Sequence, residues 1–233
     1  MSSTNILIQA RTGSKRLPRK MLMNLGDHKL IEWVIFRTKK SKKATNVVLT
    51  TSNEKIDDEL VDVALKFNIK IFRGSEEDVL GRFNEASNLY TSTNIVRVCA
   101  DNPFIDYAEI DRLIDFFNCN KCDLAFNHQD QMEMGYADGF GAEILSKELL
   151  NKLNIITKGN SECREHLTQY IWDNPLKFKI LGIKPPKELN FPNLKFDIDT
   201  KNDLIRIRNL ITNGINLETT ASEIIKTANK VNF

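Results

Sequence analysis

Residues 5–10 (NILIQA) form a short apolar run that stops at a polar, glycine-containing stretch, as a buried strand does on entering a loop. Beyond that loop, Leu30, Trp33, Val34 and Thr38 recur at helical spacing, and the β-branched run 46–51 (NVVLTT) predicts a second strand. The unit then repeats. Ile56, Leu60, Val63, Ala64 and Phe67 trace a helix, 69–72 a strand, Val79, Phe83, Ala86 and Tyr90 a helix, and 94–99 (NIVRVC) a strand. Ile110, Leu113, Ile114 and Phe117, spaced i, i+3, i+4 and i+7, close this half with an amphipathic helix. Such alternation requires right-handed crossovers and so a mostly parallel sheet covered on both faces. The second half is less regular, with strands expected at 139–145, 178–183 and 194–198 and helices near 146–153, 162–172, 201–212 and 219–229. The stretch Pro185 to Pro192 reads as a surface loop. No repeat or low-complexity linker divides the chain, so residues 1–233 are read as a single α/β domain.

Composition narrows the function. Among 233 residues, 33 Lys and Arg face 31 Asp and Glu, a net +2 that lacks the basic excess of a general nucleic-acid binder. A hydrophobic share of 41% with 27% charged residues is ordinary for a globular protein and excludes disorder, collagen and a disulfide-stapled miniprotein. No apolar run approaches the roughly 20 residues that span a bilayer, and MSSTNILIQA lacks a basic segment followed by a long apolar one. A cytoplasmic protein with neither nucleic-acid nor membrane partners is expected. Cys119 and Cys122 form a C-x-x-C pair, but Cys99 and Cys163 have no Cys or His at the short spacing of a second zinc half-site, so all four read as reduced thiols.

Ligands of open α/β sheets bind beyond the carboxyl ends of the strands, which directs attention to residues 10–20 after the first strand. Arg11, Lys15, Arg16, Arg19 and Lys20 surround Gly13 and Ser14, a composition suited to phosphate oxygens. Neither a Walker A loop nor a G-x-G-x-x-G fingerprint is present. Asp101 projects from the end of strand 94–99, on the same rim. In 195–200 (KFDIDT) alternation puts Asp197 and Asp199 on one face and Phe196 and Ile198 on the other, while Thr200 to Asp203 fits a helix N-cap. Mg2+ is held by one or two carboxylates with phosphates and water completing its shell. Asp101 and Asp199 opposite a basic loop are therefore the parts of a site for Mg2+ (or Mn2+) and a nucleotide, with the role of Asp197 left open.

Five ordered stretches carry a resemblance: A-R-x-G-S-x-R-x-P-x-K (10–20), R-G-S-E-x-D-V-L-x-R-F (73–83), D-x-P-x-I-D (101–106), R-E-H-x-T (164–168) and D-x-D-T (197–200). Together they resemble the cytidylyltransferase family, in particular the branch of the spore-coat polysaccharide biosynthesis protein F, related to CMP-Kdo and CMP-sialic acid synthetases. The resemblance implies a Rossmann-like nucleotidyltransferase fold of the glycosyltransferase A type, CTP as donor, Mg2+ and commonly a homodimer. Carried over, Arg11 and Lys20 match the triphosphate-binding cations, with Ala10, Gly13 and Ser14 in the same nucleotide-binding loop. Asp101 and Asp199 match the metal-binding acids, and Arg73, Ser75 and Asp78 fall where the base and ribose are approached. Where this branch often reads G-x-D-V-E, the chain has Gly139-Phe140-Gly141-Ala142-Glu143, which keeps the glutamate and loses the aspartate. The acceptor is therefore not carried over from relatives.

The expected reaction is attack by an acceptor oxygen on the α-phosphorus of CTP with release of pyrophosphate, for surface polysaccharide biosynthesis, the acceptor being an acidic sugar or a phosphorylated small molecule. Arg11, Arg16 and Lys20 are the catalytic candidates, since stabilising the leaving pyrophosphate is mostly electrostatic. Tyr136, Asp138, Glu143, Arg164, Glu165 and His166 are the candidates for the acceptor pocket. A metal-dependent glycosyltransferase using a nucleotide sugar is the alternative enzyme, and a non-catalytic nucleotide-sensing subunit the alternative outside enzymes. The cation cluster directly after the first strand argues against the former, and the presence of both metal-site acids against the latter.

Overall fold

The computed structural model describes residues 2–128 and 132–233. The first half follows the predicted alternation: β1 (Thr4–Gln9), a hairpin of β2 (Asn24–Leu25) and β3 (His28–Lys29), α1 (Leu30–Thr38), β4 (Asn46–Ser52), α2 (Asp58–Lys66), β5 (Lys70–Gly74), α3 (Val79–Leu89), β6 (Asn94–Cys99) and α4 (Tyr107–Cys119). Then come β7 (Leu124–Phe126), β8 (Glu143–Ser146), α5 (Lys147–Ile156), α6 (Ser161–Glu165), α7 (Gln169–Trp172), β9 (Ile180–Gly182), α8 (Lys201–Thr212) and α9 (Ala221–Lys230). The main sheet has the order β5-β4-β1-β6-β8-β7-β9. β5, β4, β1 and β6 are parallel neighbours, and β8 runs antiparallel to β6 and β7.

β1 shows why the first strand is apolar throughout. Ile6, Leu7 and Ile8 are all fully buried, Ile6 and Ile8 in the larger core cluster with α1, α4, α8 and α9, Leu7 in the smaller one with α3 and α5. A parallel strand covered on both faces has no polar side to show. Asp106, the last residue of the D-x-P-x-I-D stretch, caps α4 by accepting from the amides of Ala108 (2.9 Å) and Glu109 (3.2 Å). Thr200 and Asp203 form the expected capping box on α8. No helix among the described residues is long and apolar enough to cross a membrane.

Three expectations are corrected. Residues 194–198 are extended but pair with no strand: the Phe196 amide donates to the Asp138 carbonyl (3.1 Å) and the Ile198 amide to the Asp101 carbonyl (2.9 Å), both loop residues. The alternation survives without a ladder, because Phe196 and Ile198 are buried whereas Asp197 and Asp199 are half-exposed. The helix expected over 162–172 is broken into α6 and α7, since His166 has extended backbone and the Thr168 hydroxyl bonds to Glu143 (3.1 Å). The strand expected at 139–145 begins only at Glu143. The short β7 and the β2–β3 hairpin had no predicted counterpart.

Candidate active site

Past Gln9 the chain leaves the sheet through Ala10, buried and bonded from its amide to the Thr50 carbonyl on β4 (3.2 Å). Asp57 then catches Thr12: its Oδ1 accepts from the Thr12 amide (2.7 Å) and hydroxyl (2.5 Å), its Oδ2 from the hydroxyls of Thr51 (3.1 Å) and Ser52 (2.5 Å). Asp57 is 1% exposed. Burial opposes its charge, yet the Ser52 and Thr12 bonds hold its pKa below the usual carboxylate value. This anchor of the basic loop is invisible in local pattern, being one more carboxylate in a polar turn. At Gly13 a Cβ would come within 2.6 Å of Glu76 Oε1, the tip of a partly exposed side chain that can move aside, so the loop runs directly against the Glu76 carboxylate. Ser14 follows, its amide donating to the Thr12 carbonyl (2.9 Å) and its hydroxyl accepting from the Leu17 amide (3.4 Å).

At the far end of the loop Lys20, with a side chain only 8% exposed, donates Nζ to Asp101 Oδ2 (3.3 Å), Asp199 Oδ1 (3.0 Å) and the Ile198 carbonyl (2.8 Å). Arg16 Nη2 meets the other oxygen of Asp199 at 2.8 Å. The structure thus brings Lys20, Arg16, Asp101 and Asp199 together from three distant parts of the chain. Asp197 stands close enough that burial, followed by the charges of Asp101 and Asp199, raises its pKa. Among the described residues no three His, Cys, Asp or Glu side chains gather as a metal site, so the acidic cluster offers two carboxylates and a lysine.

Arg11 opens onto a cavity of about 570 Å³ with Gly13, Lys15, Glu76, Asp78, Arg164 and Glu165 in its wall. Arg11 Nη2 lies 3.1 Å from Glu165 Oε1, and its Nη1 donates to the Glu76 carbonyl (3.3 Å). Asp78 caps α3 through the Gly81 amide (2.8 Å) and pairs with Arg164. Ser75 accepts from the Asp78 amide through its hydroxyl (3.0 Å). Arg73 is not brought to this cavity: it pairs with Asp58 (2.6 Å) and donates to the carbonyls of Ser52 and Glu54 (both 2.9 Å).

A second cavity of about 300 Å³ opens at the carboxyl end of β6. Three of the acceptor candidates, Asp138, Glu143 and His166, line it, together with Arg97, Cys99 and Trp172. Glu143 faces Arg97 across the β6–β8 register and accepts from its Nη1 (2.7 Å), from Thr168 (3.1 Å) and from Trp172 Nε1 (3.4 Å). Burial works against its charge, but Arg97 and His128 outweigh it and lower its pKa. Burial, with the neighbouring Asp197 charge, raises that of Asp138 against the pull of His128. Burial also pushes the Cys99 thiol up to about 11, which leaves it protonated. Three acceptor candidates lie elsewhere, Glu165 among them in the wall of the larger cavity. Tyr136 is fully buried, donating its hydroxyl to Glu109 (2.8 Å) and accepting from Arg112, while Arg164 serves the larger cavity. Nothing in the local pattern marks Arg97, whose position on a strand otherwise facing the core is the one available clue.

Comparison with known proteins bears on this geometry. The profile described as Cytidylyltransferase matches residues 5–225. The spore coat polysaccharide biosynthesis protein SpsF of Bacillus subtilis is 31% identical over 235 residues, covering 99% of this chain and 95% of its own. A cytidylyltransferase from Leptospira borgpetersenii superposes with a TM-score of 0.92 at 32% identity, over 100% of this chain and 96% of that one. A CMP:2-keto-3-deoxy-manno-octonic acid synthetase, solved with CTP, superposes with a TM-score of 0.68 at 16% identity over 92% and 100% of the chains, a likeness of fold alone.

Proposed function

The chain belongs to the cytidylyltransferase family and is a CTP-dependent nucleotidyltransferase, and from that premise we propose that it transfers CMP to an acidic sugar or phosphorylated small molecule destined for a surface polysaccharide. The convergence of Lys20, Asp101 and Asp199, together with a cavity onto which Arg11, Lys15 and Arg164 open, carries this reading. The larger cavity, with Arg11, Gly13 and Asp78 in its wall, takes the nucleotide, Ala10, Ser14, Lys20 and Ser75 serve it from outside that wall, and the smaller cavity takes the acceptor. Arg73 acts from behind by fixing the end of β5.

In the reaction an acceptor oxygen forms a bond to the α-phosphorus as the bond to the oxygen bridging to the β-phosphorus breaks, and pyrophosphate leaves. Arg11, Arg16 and Lys20 meet the charge that builds on the leaving group. Their present partners are carboxylates, so the triphosphate replaces Glu165 at Arg11 and Asp199 at Arg16. Asp101 and Asp199 fit a divalent cation, because oxygens of both already converge on one ammonium group. They would hold Mg2+ or Mn2+, which when bound supplies charge neutralisation to the phosphates. A hydroxyl acceptor must lose a proton, and Asp138, a carboxylate in the smaller cavity with a raised pKa, is placed to take it. A phosphate acceptor needs no base.

Pyrophosphate release, measured with each of the four nucleoside triphosphates against a panel of acidic sugars and sugar phosphates, tests the proposal. It should require Mg2+ or Mn2+ and favour CTP. Full turnover in excess EDTA would remove the metal role, and turnover only with a nucleotide sugar as donor would make the protein a glycosyltransferase. The reading also places a homodimer in the cytoplasm, which sedimentation and cell fractionation check.

A further inference from the structure

Arg82, inside the 73–83 stretch, has no part in the reaction as derived above, and its surroundings are costly for a cation. It is 1% exposed, it lies in the first turn of α3, where the helix dipole is positive, and its Nε is buried without a hydrogen-bond partner. The acids whose charge it feels are committed elsewhere: Asp57 to Thr12 and Ser52, Glu76 to Arg11, Asp78 to Arg164. Among the described residues Arg82 forms no ion pair of its own. Burial, followed by the Arg11 charge, pulls its pKa down to about 10. Its Nη1 donates to the carbonyls of Ser75 (2.5 Å) and Glu76 (3.4 Å), and Arg11 grips the same Glu76 carbonyl (3.3 Å). Two arginines thus hold one short segment between them, and that segment walls the larger cavity.

Burying a cation with no acid paired to it is costly, and an anion that arrives beside it lowers that cost. The wall of that cavity also needs such help, since Arg11, Lys15 and Arg164 are matched there by Glu76, Glu77, Asp78 and Glu165. We propose that Arg82 is a positioning residue for the donor nucleotide: its charge, unpaired in the free protein, is the counter-charge of the bound phosphates, and its grip on Ser75 and Glu76 sets the cavity wall to receive them. The inference rests on the reading of this cavity as the CTP site.

Calorimetric titration of CTP into wild type, Arg82→Gln and Arg82→Lys separates the possibilities. Gln removes the charge and keeps a donor for the carbonyls, whereas Lys keeps the charge. Arg82→Gln should raise the Kd for CTP at least tenfold, Arg82→Lys no more than about threefold, and the wild-type affinity should fall more steeply with salt than that of Arg82→Gln. A purely structural role would lower the melting temperature of free Arg82→Gln and leave the Kd of its folded fraction unchanged, and that result overturns the proposal. Equal losses in the two variants overturn it as well. If Arg82→Gln does not fold, Arg82→Lys decides alone: an affinity near wild type supports the proposal and a tenfold loss refutes it. Wild-type protein that binds no CTP removes the reading of the cavity and this inference together, whereas tight wild-type binding with an unaffected Arg82→Gln removes only the inference.

Discussion

Replacing Asp57 by Asn should loosen the basic loop and make the protein's stability less sensitive to acid. The carboxylate accepts five hydrogen bonds, from the amides of Thr12 and Ser52 and the hydroxyls of Thr12, Thr51 and Ser52. Hydroxyls can rotate and accept from a side-chain amide, but backbone amides cannot. Whichever way the substituted side chain is turned, its NH2 group meets one of the two backbone amides and leaves a buried donor unsatisfied, at about 1–3 kcal/mol. The other bonds weaken from charge-assisted to neutral, so a total near ~3–5 kcal/mol is expected at neutral pH, or a melting temperature lower by about 10 °C for a domain of this size. The sign with pH follows from linkage. The folded-state pKa of Asp57 is lowered, so its stabilisation is complete above the unfolded value of about 3.9 and is lost as pH falls through the folded value. Urea unfolding of both proteins at steps from pH 7 downward measures the difference, which should be largest at pH 7 and shrink below about pH 5. A variant within about 1 kcal/mol of wild type at pH 7, or a gap that widens on acidification, refutes the reasoning.

Three further outcomes are expected. Asp199→Asn should abolish pyrophosphate release while leaving circular dichroism unchanged, because it removes the charge of one of the two carboxylates that meet at Lys20. Asp197→Asn should be milder, since that residue contacts the pair only through its field, and equal losses in the two variants would break the distinction. Lys20→Ala should lower kcat by on the order of 10², the cost of losing one preorganised charge-stabilising donor, and a rise in KM for CTP with kcat intact would make Lys20 a docking residue instead.

The alternation of strands and helices, the parallel sheet and the core positions of β1, β4 and β6 were legible in the sequence, because an apolar period is imposed by neighbours a few residues away. The meeting of Lys20 and Asp101 was legible too, through the rule that puts sites beyond the carboxyl ends of parallel strands, and Asp199 joined them through its alternation with buried Phe196 and Ile198. What a polar group bonds to is set at long range, and there local pattern was silent. Lys20 meets an acid 179 positions away, and Thr12 is held by one 45 positions away. The same distance effect undid particular expectations. Residues 194–198 alternate like a strand, yet their amides go to two loops. The run 162–172 has helical composition, yet Thr168 serves Glu143 on the sheet. Tyr136 and Arg73 carry groups suited to a site and are drawn instead to Glu109 and Asp58. Arg97 and Asp57 acquire their places only when sheet and loop close on them. Periodicity records which face of an element is buried, and the tertiary structure alone decides which buried polar groups find one another.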